Sequence, residues 1–592
     1  MTRAEAIEQA VRAPTLCGAF QISAAANAER PALRDIGVED ELTWQDYADR
    51  VRTIATGSAA LGVGTGDVVA IMLTSRSEFH LVDTGVLHAG GVPFSIYFSN
   101  PAEQILPQIE NSGARIVVAQ PEFVGTLRTV RDRLDTPLAI VVIADEAGDG
   151  DMTLAELEAL PAPDGWDFDA TWQALTPDSL AGIIYTSGTT GIPKGAEWSH
   201  GALLANVRAV HRLAPASPDG TVISYLPMAH LFERWFSHYG GMAFGFTVTS
   251  VPDPKQLAAA LGAVKPTRFI AVPRIYEKLA MAVRKIARAD DELRGALEDG
   301  MAFAAASLSD TEQPDADLLI RGAAARVTLG GIRERLGFGA TEYLGSASAP
   351  ARVDILKVFT ALGLPIAEIW GMSETGMSLS NPLERIKIGT VGRPQPGVEA
   401  KLAPDGELLV RGPIFSGYRN EPDKTREAVD EDGWMRSGDI ATVDADGYYT
   451  IVDRKKEIII NSAGKNIPPA MVENRLKAHS PVIGHAVALG DKRPYLTAII
   501  VLDEESLIEF ASGAGLTGSF DQITREPAVY AEVERAVQAA NATLARIEQV
   551  KKYRILEGVS WLPGGDEITM TMKLKRRVID RKYAAEIAAL YA

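Results

Sequence analysis

The sequence predicts an α/β protein with a large N-terminal part of stacked α/β sheets, a small β unit and a small C-terminal part. Three continuous apolar runs, at residues 67–73, 115–119 and 138–144, alternate with stretches of helical period. Such runs are typical of strands in parallel sheets that helices cover on both faces. They therefore favour an α/β architecture for the first half of the chain.

The first clear element in chain order is a helix at residues 44–61. Its apolar residues recur with helical period, Thr43 is a suitable N-cap, and Gly62 marks its end. Farther along, residues 239–251 form the most apolar window, but glycines and threonines interrupt it. We predict a buried helix and strand there, because crossing a bilayer needs about 20 apolar residues.

From about residue 389 the composition changes to Gly-, Pro- and Asp-rich turns between short strands at 407–410, 440–443 and 448–452. This pattern is typical of a compact β unit. A charged joint at 453–457 separates the unit from a final segment of about 130 residues, which is long enough for a small domain. We therefore predict two domains, residues 1–454 and 455–592.

Composition excludes several classes of protein. With 592 residues, 46% of them hydrophobic, the chain has ample material for more than one core, unlike a disordered chain. Its one cysteine, Cys17, excludes a disulfide scaffold and cysteine-rich metal sites. The net charge of −18 argues against a general nucleic-acid binder, which needs a basic surface.

The first residues resemble no targeting segment. Glu5 and Glu8 stand where a secretory signal or transit peptide avoids acids, and no apolar core segment follows them. We expect a cytoplasmic protein and leave peripheral membrane contact open.

The strongest functional signal is a loop at residues 183–195. An apolar strand leads into glycines, hydroxyl residues and one lysine, which together suit a phosphate: glycines allow close approach of backbone N–H groups, hydroxyls add donors and lysine adds charge. Pro193 excludes the common P-loop pattern. The alternative is an ordinary surface turn. The candidate phosphate-binding residues are Thr186, Ser187, Gly188, Thr189, Thr190, Gly191 and Lys194.

The order of residues 186–195 resembles the phosphate-binding signature of the adenylate-forming enzymes, which include acyl- and aryl-CoA synthetases, luciferases and adenylation domains. The resemblance continues over nearly the whole chain. It implies a large N-terminal domain that binds AMP and the acyl group, hinged to a small, mobile α+β C-terminal domain.

A second segment, residues 367–374, resembles the family's aromatic-Gly-x-Thr/Ser-Glu motif. The resemblance implies that Glu374 and the hydroxyl of Thr186 hold Mg²⁺, a cation that prefers oxygen ligands. It also implies that the nucleotide lies against Trp370, Gly371, Met372 and Ser373. Trp370 replaces the commoner tyrosine, which preserves stacking on adenine but not a phenolic hydrogen bond. Taken alone, the segment could be a strand end with a helix cap at Ser373.

Two further segments resemble the family in the same order. Residues 433–439 resemble the motif whose aspartate, here Asp439, binds the ribose hydroxyls. Residues 453–456 resemble the domain joint, with Arg454 near the ribose and Lys456 at the hinge. Each segment alone could be a turn or a solvated charge run.

Residues 567–577 resemble the C-terminal motif with the catalytic lysine, which aligns with Lys573. Met572 stands where the family often has glycine. It is closer to the apolar residue that the long-chain acyl branch has at this position. We interpret the following Lys575, Arg576 and Arg577 as a helix start that faces solvent.

The acyl group is suggested by residues 224–234 and 265–278, which resemble the long-chain branch. There the histidine matching His230 lies where carboxylate, phosphate and thiol meet, although a structural histidine is the alternative. The small residues at 345–350 suit a wall beside an acyl chain, or equally a tight turn. Gly464 lies in a loop that resembles the lining of the pantetheine channel in CoA ligases, but its Pro468-Pro469 pair departs from the usual single proline.

These resemblances imply a long-chain-fatty-acid–CoA ligase of the AMP-forming kind. It would activate a medium- to long-chain fatty acid with ATP and Mg²⁺ to acyl-AMP and transfer the acyl group to CoA. The alternatives are an acyl-AMP ligase that loads a carrier protein, a CoA ligase for another carboxylic acid, and a non-catalytic sensor. The interval from Glu374 to Gly406 is only 32 positions (406 − 374), which favours CoA, because carrier-loading relatives typically have an added segment there. The reacting thiol would come from CoA, since Cys17 lies outside every motif.

Overall fold

The computed structural model describes residues 1–186, 193–308, 314–462, 465–562, 564–569 and 573–592. Helices and strands alternate over the first of these ranges. In order, its elements are α1 (Arg3–Ala10), α2 (Leu16–Asn27), β1 (Pro31–Asp35), β2 (Leu42–Thr43), α3 (Trp44–Ala60), β3 (Val68–Met72), α4 (Ser77–His88), β4 (Val92–Ser95), α5 (Ala102–Ser112), β5 (Ile116–Ala119), α6 (Pro121–Arg131), β6 (Ala139–Val142), β7 (Met152–Thr153), α7 (Leu154–Glu158), α8 (Phe168–Gln173) and β8 (Leu180–Thr186).

The middle of the chain is again mixed. Its elements are β9 (Lys194–Ser199), α9 (His200–Leu213), β10 (Thr221–Ser224), α10 (Leu231–Glu233), a π-helix (Arg234–Tyr239), α11 (Gly240–Phe244), β11 (Thr247–Ser250), a 3₁₀ turn (Pro254–Gln256), α12 (Leu257–Val264), β12 (Arg268–Ala271), α13 (Pro273–Arg288), α14 (Asp291–Ser307), α15 (Ala316–Thr328), α16 (Gly330–Arg335), β13 (Tyr343–Ser346), α17 (Val353–Ala361), β14 (Ile366–Met372), β15 (Gly376–Ser380) and β16 (Arg393–Pro394).

A β-rich stretch and a mixed C-terminal part complete the chain. The β-rich stretch contains β17 (Glu399–Leu402), β18 (Glu407–Arg411), β19 (Gly417–Tyr418), α18 (Pro422–Ala428), β20 (Met435–Val443) and β21 (Tyr449–Arg454). The C-terminal part contains β22 (Ile459–Ile460), β23 (Asn466–Ile467), α19 (Pro469–Ala478), β24 (Ile483–Leu489), β25 (Leu496–Leu502), α20 (Glu504–Gly513), α21 (Phe520–Ile523), α22 (Pro527–Ala542), β26 (Val550–Ile555), α23 (Arg576–Lys582) and α24 (Ala584–Ala589).

The predicted helix 44–61 is confirmed as α3, and local chemistry explains its ends. Thr43 Oγ1 accepts a hydrogen bond from the Asp46 N–H at 3.1 Å, and the Asp46 carboxylate accepts one from the Thr43 N–H at 2.9 Å. This reciprocal capping box satisfies two N–H groups that the helix itself leaves unpaired. The chain then leaves the helix through Gly62, whose φ of +87° favours glycine.

The three predicted buried runs are confirmed as β3, β5 and β6 of an eight-stranded sheet with the order β19-β9-β8-β4-β3-β5-β6-β7. The strands from β8 to β7 in that order pair in parallel. Beyond β8 the sheet changes direction, because β8 and β9 form an antiparallel hairpin and β19 pairs antiparallel to β9. The prediction of parallel strands therefore holds for most of this sheet but not for the edge that carries the candidate phosphate loop.

Two more sheets complete the large N-terminal part. Their orders are β10-β11-β1-β2 and β12-β13-β14-β15-β16. The apolar window 239–251 corresponds to the end of the π-helix, α11 and β11, all buried as predicted. Apolar side chains from Ile7 to Met435 form one large core, in which Cys17 is completely buried. Burial in apolar surroundings raises the pKa of the Cys17 thiol.

The predicted β unit is confirmed as an antiparallel sheet with the order β17-β18-β20-β21. After it, the sheet β24-β25-β26 packs with α19 and α22 around a separate apolar core that runs from Ile459 to Ile555. The placement of a domain boundary at 454/455 stays a prediction.

Candidate functional site

In the chain, the candidate phosphate loop connects β8 to β9. Thr186, the last residue of β8, pairs in register with Lys194, the first residue of β9. The two ends of the loop are thus held next to each other. The predicted Ser187, Gly188, Thr189, Thr190 and Gly191 lie outside the described residues.

Tyr418 connects the β8–β9 hairpin to Glu374. It lies in β19, next to β9, and the Lys194 Nζ stands 4.7 Å from the centre of its ring. Its hydroxyl donates a hydrogen bond to Glu374 Oε1 at 2.7 Å. Burial and the adjacent carboxylate raise the pKa of Tyr418, so the phenol remains a donor. Glu374 is only 8% exposed, and this hydrogen bond satisfies one of its oxygens.

Sequence reasoning did not identify Tyr418. The only sequence signal is a tyrosine next to Gly417 in a short strand, and tyrosines are common in strands. Its role becomes visible only when β19 is paired with β9, because it is 44 positions from Glu374 in sequence.

Asp439 is held by two partners. The Trp370 Nε1–H donates a hydrogen bond to its Oδ2 at 2.8 Å, and Arg454, its neighbour across the β20–β21 pair, forms an ion pair with its Oδ1 at 2.7 Å. Burial raises the pKa of Asp439, and the positive charge of Arg454 opposes this increase. The structure thus brings together three residues that were predicted separately.

Trp370 makes a contact that was not expected from the sequence. Its side chain packs with the apolar residues of the small β unit and is only 7% exposed. The loss of a phenolic hydrogen bond at this position is therefore matched by an indole N–H bond to Asp439. Stacking of Trp370 on adenine stays a prediction.

Of the motif residues, Gly371 and Met372 end β14, and Ser373 begins the turn into β15. A Cβ atom on Gly371 would lie 1.9 Å from the Gly376 carbonyl oxygen, so the close approach of these strands requires glycine. The Trp198 Nε1–H donates to the Ser373 carbonyl at 2.8 Å and fixes the turn. The alternative of a helix cap at Ser373 is wrong, because a strand follows the turn.

His230 precedes α10, and its ring is oriented by the backbone. Nδ1 accepts a hydrogen bond from the Phe232 N–H at 3.2 Å, which leaves the proton of a neutral ring on Nε2. Burial, assisted by the positive charge of Lys573, lowers the pKa of His230 to about 4. At neutral pH the ring is therefore an uncharged hydrogen-bond donor through Nε2.

Lys573 reaches the same cleft from the C-terminal part. Its backbone is paired with Thr569: the Lys573 N–H donates to Thr569 Oγ1 at 3.0 Å, and the Thr569 N–H donates to the Lys573 carbonyl at 2.9 Å. Met570, Thr571 and Met572 lie outside the described residues.

Lys573 is exposed as a residue, but protein atoms surround its amine. The surroundings of the amine matter more here, because the charge resides there. Desolvation lowers the pKa of Lys573, and Arg454 acts in the same direction. Asp439 and Glu374 oppose the decrease. The amine therefore senses the charges of both candidate motifs, which lie in the large N-terminal part.

One interpretation of the basic run after Lys573 is wrong. Arg576 does not face solvent: its side chain is 17% exposed and forms ion pairs with Glu457 at 3.0 Å and Glu473 at 2.7 Å. These carboxylates raise the pKa of Arg576. Lys575 is half-buried and donates to the Gly565 carbonyl at 2.8 Å, whereas Arg577 is exposed as predicted.

The remaining predicted residues are placed as follows. Lys456 is exposed in the turn after β21, and Gly464 lies outside the described residues. The small-residue run 345–350 spans the end of β13 and the turn before α17, and the positive φ of Ser348 (+77°) agrees with the turn interpretation.

Oxygen donors for a divalent cation are present in the cleft. The described part of the chain contains no group of three or more His, Cys, Asp or Glu side chains that could hold a metal by themselves. Mg²⁺, however, is commonly held by one or two protein oxygens together with substrate phosphates. The Glu374 carboxylate and the Thr186 hydroxyl fit this requirement.

The lengths and apolar character of the helices bear on membrane insertion. Within the described ranges, none is both long and apolar enough to span a bilayer.

Comparison with known families gives two matches that cover most of the chain. Residues 20–419 match the family described as AMP-binding enzyme, and residues 456–592 match the AMP-binding enzyme C-terminal domain.

Several curated proteins are similar over most of their length. A protein of Mycobacterium tuberculosis named fatty-acid–CoA ligase FadD11 is 45% identical over 452 residues, which cover 75% of this chain and 79% of the relative. Long-chain-fatty-acid–CoA ligase FadD15 of the same species is 34% identical, with 94% of this chain and 93% of the relative covered. Long-chain-fatty-acid–CoA ligase ACSBG2 of Xenopus laevis is 29% identical, with coverage of 93% and 80%.

Solved structures support the fold. The adenylation domain of a carboxylate reductase from Mycobacterium chelonae aligns with a TM-score of 0.75 at 21% identity, covering 100% of this chain and 94% of that domain. ATP-bound MatB from Rhodopseudomonas palustris aligns with a TM-score of 0.67 at 22% identity, covering 94% and 96%. At these identities the likeness concerns the fold alone.

Proposed function

Because the chain belongs to the AMP-binding enzyme family, we propose that it is a long-chain-fatty-acid–CoA ligase. It activates a medium- to long-chain fatty acid with ATP to acyl-AMP and pyrophosphate, and then transfers the acyl group to CoA with release of AMP. The observation that supports this proposal most directly is the convergence of Lys573 with Glu374 and Asp439 across two parts of the chain. The names of the relatives FadD11 and FadD15 agree with it.

In the first step a carboxylate attacks the α-phosphate of ATP, and two anions must approach each other. Lys194 and Lys573 offset the charge that accumulates. At about 4 Å and an effective dielectric constant near 20, one unit charge contributes on the order of 4 kcal/mol. The Nε2–H of neutral His230 donates to an oxygen of the reacting groups without adding charge. Asp439, oriented by Trp370 and Arg454, accepts from the ribose hydroxyls.

Mg²⁺ is part of this proposal. Glu374 and Thr186 would hold the ion, and when bound it supplies positive charge to the phosphate oxygens. The hydrogen bond from Tyr418 fixes the orientation of the Glu374 carboxylate toward the phosphate loop.

In the second step the CoA thiol attacks the acyl-AMP carbonyl, and Lys573 is no longer needed. We propose that the C-terminal domain, residues 455–592, then rotates about a hinge at Lys456 and exposes the site to CoA. The ion pairs of Arg576 with Glu457 and Glu473 support this, because they attach the segment after Lys573 to the first residues beyond the hinge. We expect the protein in the cytoplasm and leave peripheral contact with membranes open.

The decisive experiment measures both half-reactions with the full-length protein. ATP–pyrophosphate exchange is measured with carboxylic acids from short to very long chains, and thioester formation is measured with free CoA. We expect exchange that depends on a medium- or long-chain acid and a thioester product with CoA. Absence of exchange with every acid would contradict enzymatic activity and favour a sensor. Exchange without thioester formation would instead indicate a carrier-protein acceptor.

A further inference from the structure

A second cavity lies between the two parts of the chain, away from the nucleotide cleft. It has a volume of about 310 Å³, enough for roughly ten waters at about 30 Å³ each. Helix α13 and the start of α17 line it on one side, and the end of α19 and the segment up to β24 line it on the other. None of the predicted site residues belongs to its lining. The lining residues are Arg274, Glu277, Met281, Arg284, Arg288, Arg352, Asp354, Ile355, Lys477, Ala478, His479, Pro481, Ile483 and Ser506.

Positive charge dominates this cavity, although the chain carries a net charge of −18. Its lining has four arginines and one lysine but only two carboxylates, Glu277 and Asp354. Two carboxylates behind the lining, Asp503 and Glu509, pair with Arg274 and Arg288. Among the lining residues and these two carboxylates, five cations stand against four carboxylates, and Glu473, which also lies near Lys477, is engaged by Arg576.

Lys477 differs from the other cations of the lining. Arg284 and Arg352 share Asp354, with contacts of 2.9 Å and 3.1 Å, and Arg274 lies between Glu277 and Asp503. The side-chain amine of Lys477, by contrast, forms no ion pair or hydrogen bond with any residue that the structure describes. Desolvation lowers the pKa of Lys477, and the neighbouring Arg352 and Arg274 contribute, although Glu277 and Glu473 oppose them. A partly desolvated cation without a partner is costly unless an anion joins it.

We propose that this cavity binds a phosphate group, which bridges Lys477 of the C-terminal part to arginines of the N-terminal part. Guanidinium groups bind phosphate oxygens with paired hydrogen bonds, which is why arginine is favoured at phosphate sites. The cavity exists only where the two parts face each other. Occupancy therefore stabilises the closed arrangement in which Lys573 lies in the nucleotide cleft, and makes the site a point of control by phosphate-bearing anions.

Calorimetric titration of the full-length protein at low ionic strength tests the site. Inorganic phosphate, pyrophosphate and adenosine 3′,5′-bisphosphate are the three probes, and they separate a free phosphate from the phosphates of a nucleotide. We expect at least one probe to bind the Lys477→Gln variant at least tenfold more weakly than the unchanged protein. Lys551→Gln is the matched control, because Lys551 is an exposed lysine of the same part and lies outside the cavity. Equal affinities of the unchanged protein and Lys477→Gln for all three probes would overturn the proposal, and so would equal weakening by Lys551→Gln.

A second measurement follows the arrangement of the two parts. Trypsin can cleave at the exposed residues Arg454, Lys455 and Lys456, and we expect the binding probe to slow this cleavage in the unchanged protein but not in Lys477→Gln. Arg288→Gln, at an exposed position of the lining, should weaken binding to a smaller extent. It is the test variant if Lys477→Gln does not fold. ATP–pyrophosphate exchange, in which pyrophosphate is a reactant, should persist in both variants. Absence of any anion effect in the unchanged protein, with exchange intact, therefore rejects this site alone, whereas absence of exchange in the unchanged protein rejects the proposed function.

Discussion

The two sides of the nucleotide cleft are constructed in opposite ways. On the N-terminal side, Glu374 and Asp439 are buried, and each accepts a hydrogen bond of 2.7–2.8 Å from an aromatic side chain. On the C-terminal side, Lys573 belongs to a backbone segment that is held within the C-terminal part, by its hydrogen bonds with Thr569 and by the bridge between Ile568 and Leu574. The carboxylates are thus fixed before any ligand arrives, whereas the position of the lysine depends on how the two parts are arranged. This arrangement suits the proposed mechanism, in which Lys573 acts in one step only and the C-terminal part then rotates away.

The largest expected effect separates the two sides by step. Lys573→Ala should reduce acyl-AMP formation by about 10²–10³-fold, the loss typical when one charge-stabilising group is removed. Conversion of supplied acyl-AMP and CoA to the thioester should change by less than about threefold, because the lysine acts only in the first step. Both half-reactions are measured separately, with Lys551→Ala as the control. Equal losses in both steps would contradict the division of roles.

A comparable effect on stability is expected at Arg576. Arg576→Met leaves Glu473, which is 5% exposed, without its charged partner, and breaking one side of a buried pair typically costs about 3–5 kcal/mol. The free energy of unfolding of the C-terminal part, measured in urea, should fall by about 3 kcal/mol. Arg581→Met, at an exposed position of the same helix, should change it by less than about 0.5 kcal/mol. Equal free energies of unfolding for both variants would show that Arg576 is solvated.

An intermediate effect on ATP binding is expected on the N-terminal side of the cleft. Trp370→Phe retains a large ring but removes the N–H that donates to Asp439. A hydrogen bond to a charged group contributes about 1.5–3 kcal/mol, so the KM for ATP should rise by roughly tenfold or more. Trp434→Phe, in the same β unit, is the control. A fall in kcat with an unchanged KM would contradict a role in orienting the ribose-binding carboxylate.

A smaller effect is expected from Tyr418→Phe. The ring remains beside Lys194, and only the hydrogen bond to Glu374 is lost. This bond also ends on a carboxylate, for which about 1.5 kcal/mol is the lower end of the usual range, and this corresponds to roughly tenfold slower adenylation. The concentration of Mg²⁺ required for half-maximal rate should increase with it. Tyr449→Phe, which removes a hydroxyl bonded to the Ala400 carbonyl, should leave the Mg²⁺ dependence unchanged.

The smallest effect is expected from acidification. Burial lowers the pKa of His230 to about 4, so the ring stays neutral as the pH falls from 7.5 to 5.5. A histidine with the usual pKa near 6.5 would gain its charge in this range. The adenylation rate of the unchanged protein should therefore not decline near pH 6.5 through protonation of His230. The variant His230→Asn should show the same pH dependence in this range. A decline that is present in the unchanged protein and absent in the variant would mean that His230 is solvated in the working enzyme.

The same contrast explains what could be predicted from the sequence. The helix at Trp44–Ala60 and the strands β3, β5 and β6 follow from local periodicity and capping, which neighbouring residues determine. The convergence of Glu374, Asp439 and Lys573 was expected because their motifs stand in the order of a family. The bond between Trp370 and Asp439, which are 69 positions apart, depends on how β14 lies beside the β unit, and no local pattern encodes that.

The errors have a similar physical origin. Arg576 was interpreted as solvated, because a basic run at a helix start usually is; its partner Glu473 lies 103 positions earlier. The antiparallel β8–β9 pair was not predicted, because no local pattern shows that the chain after the glycine-rich loop pairs with the strand before it. The positive charge of the cavity around Lys477 could not be predicted from the sequence either, because its cations come from three separate segments.

The complete burial of Cys17 has a practical consequence for work with this protein. Its raised pKa and lack of access make the thiol inert toward alkylating and disulfide reagents in the native state. A colorimetric thiol reagent would thus report free CoA without interference from the folded chain. Cysteines introduced at one exposed position on each side of residue 455 could then carry a pair of fluorescent dyes, with no need to remove the natural residue first. The distance between the dyes would follow the rearrangement of the two parts in real time.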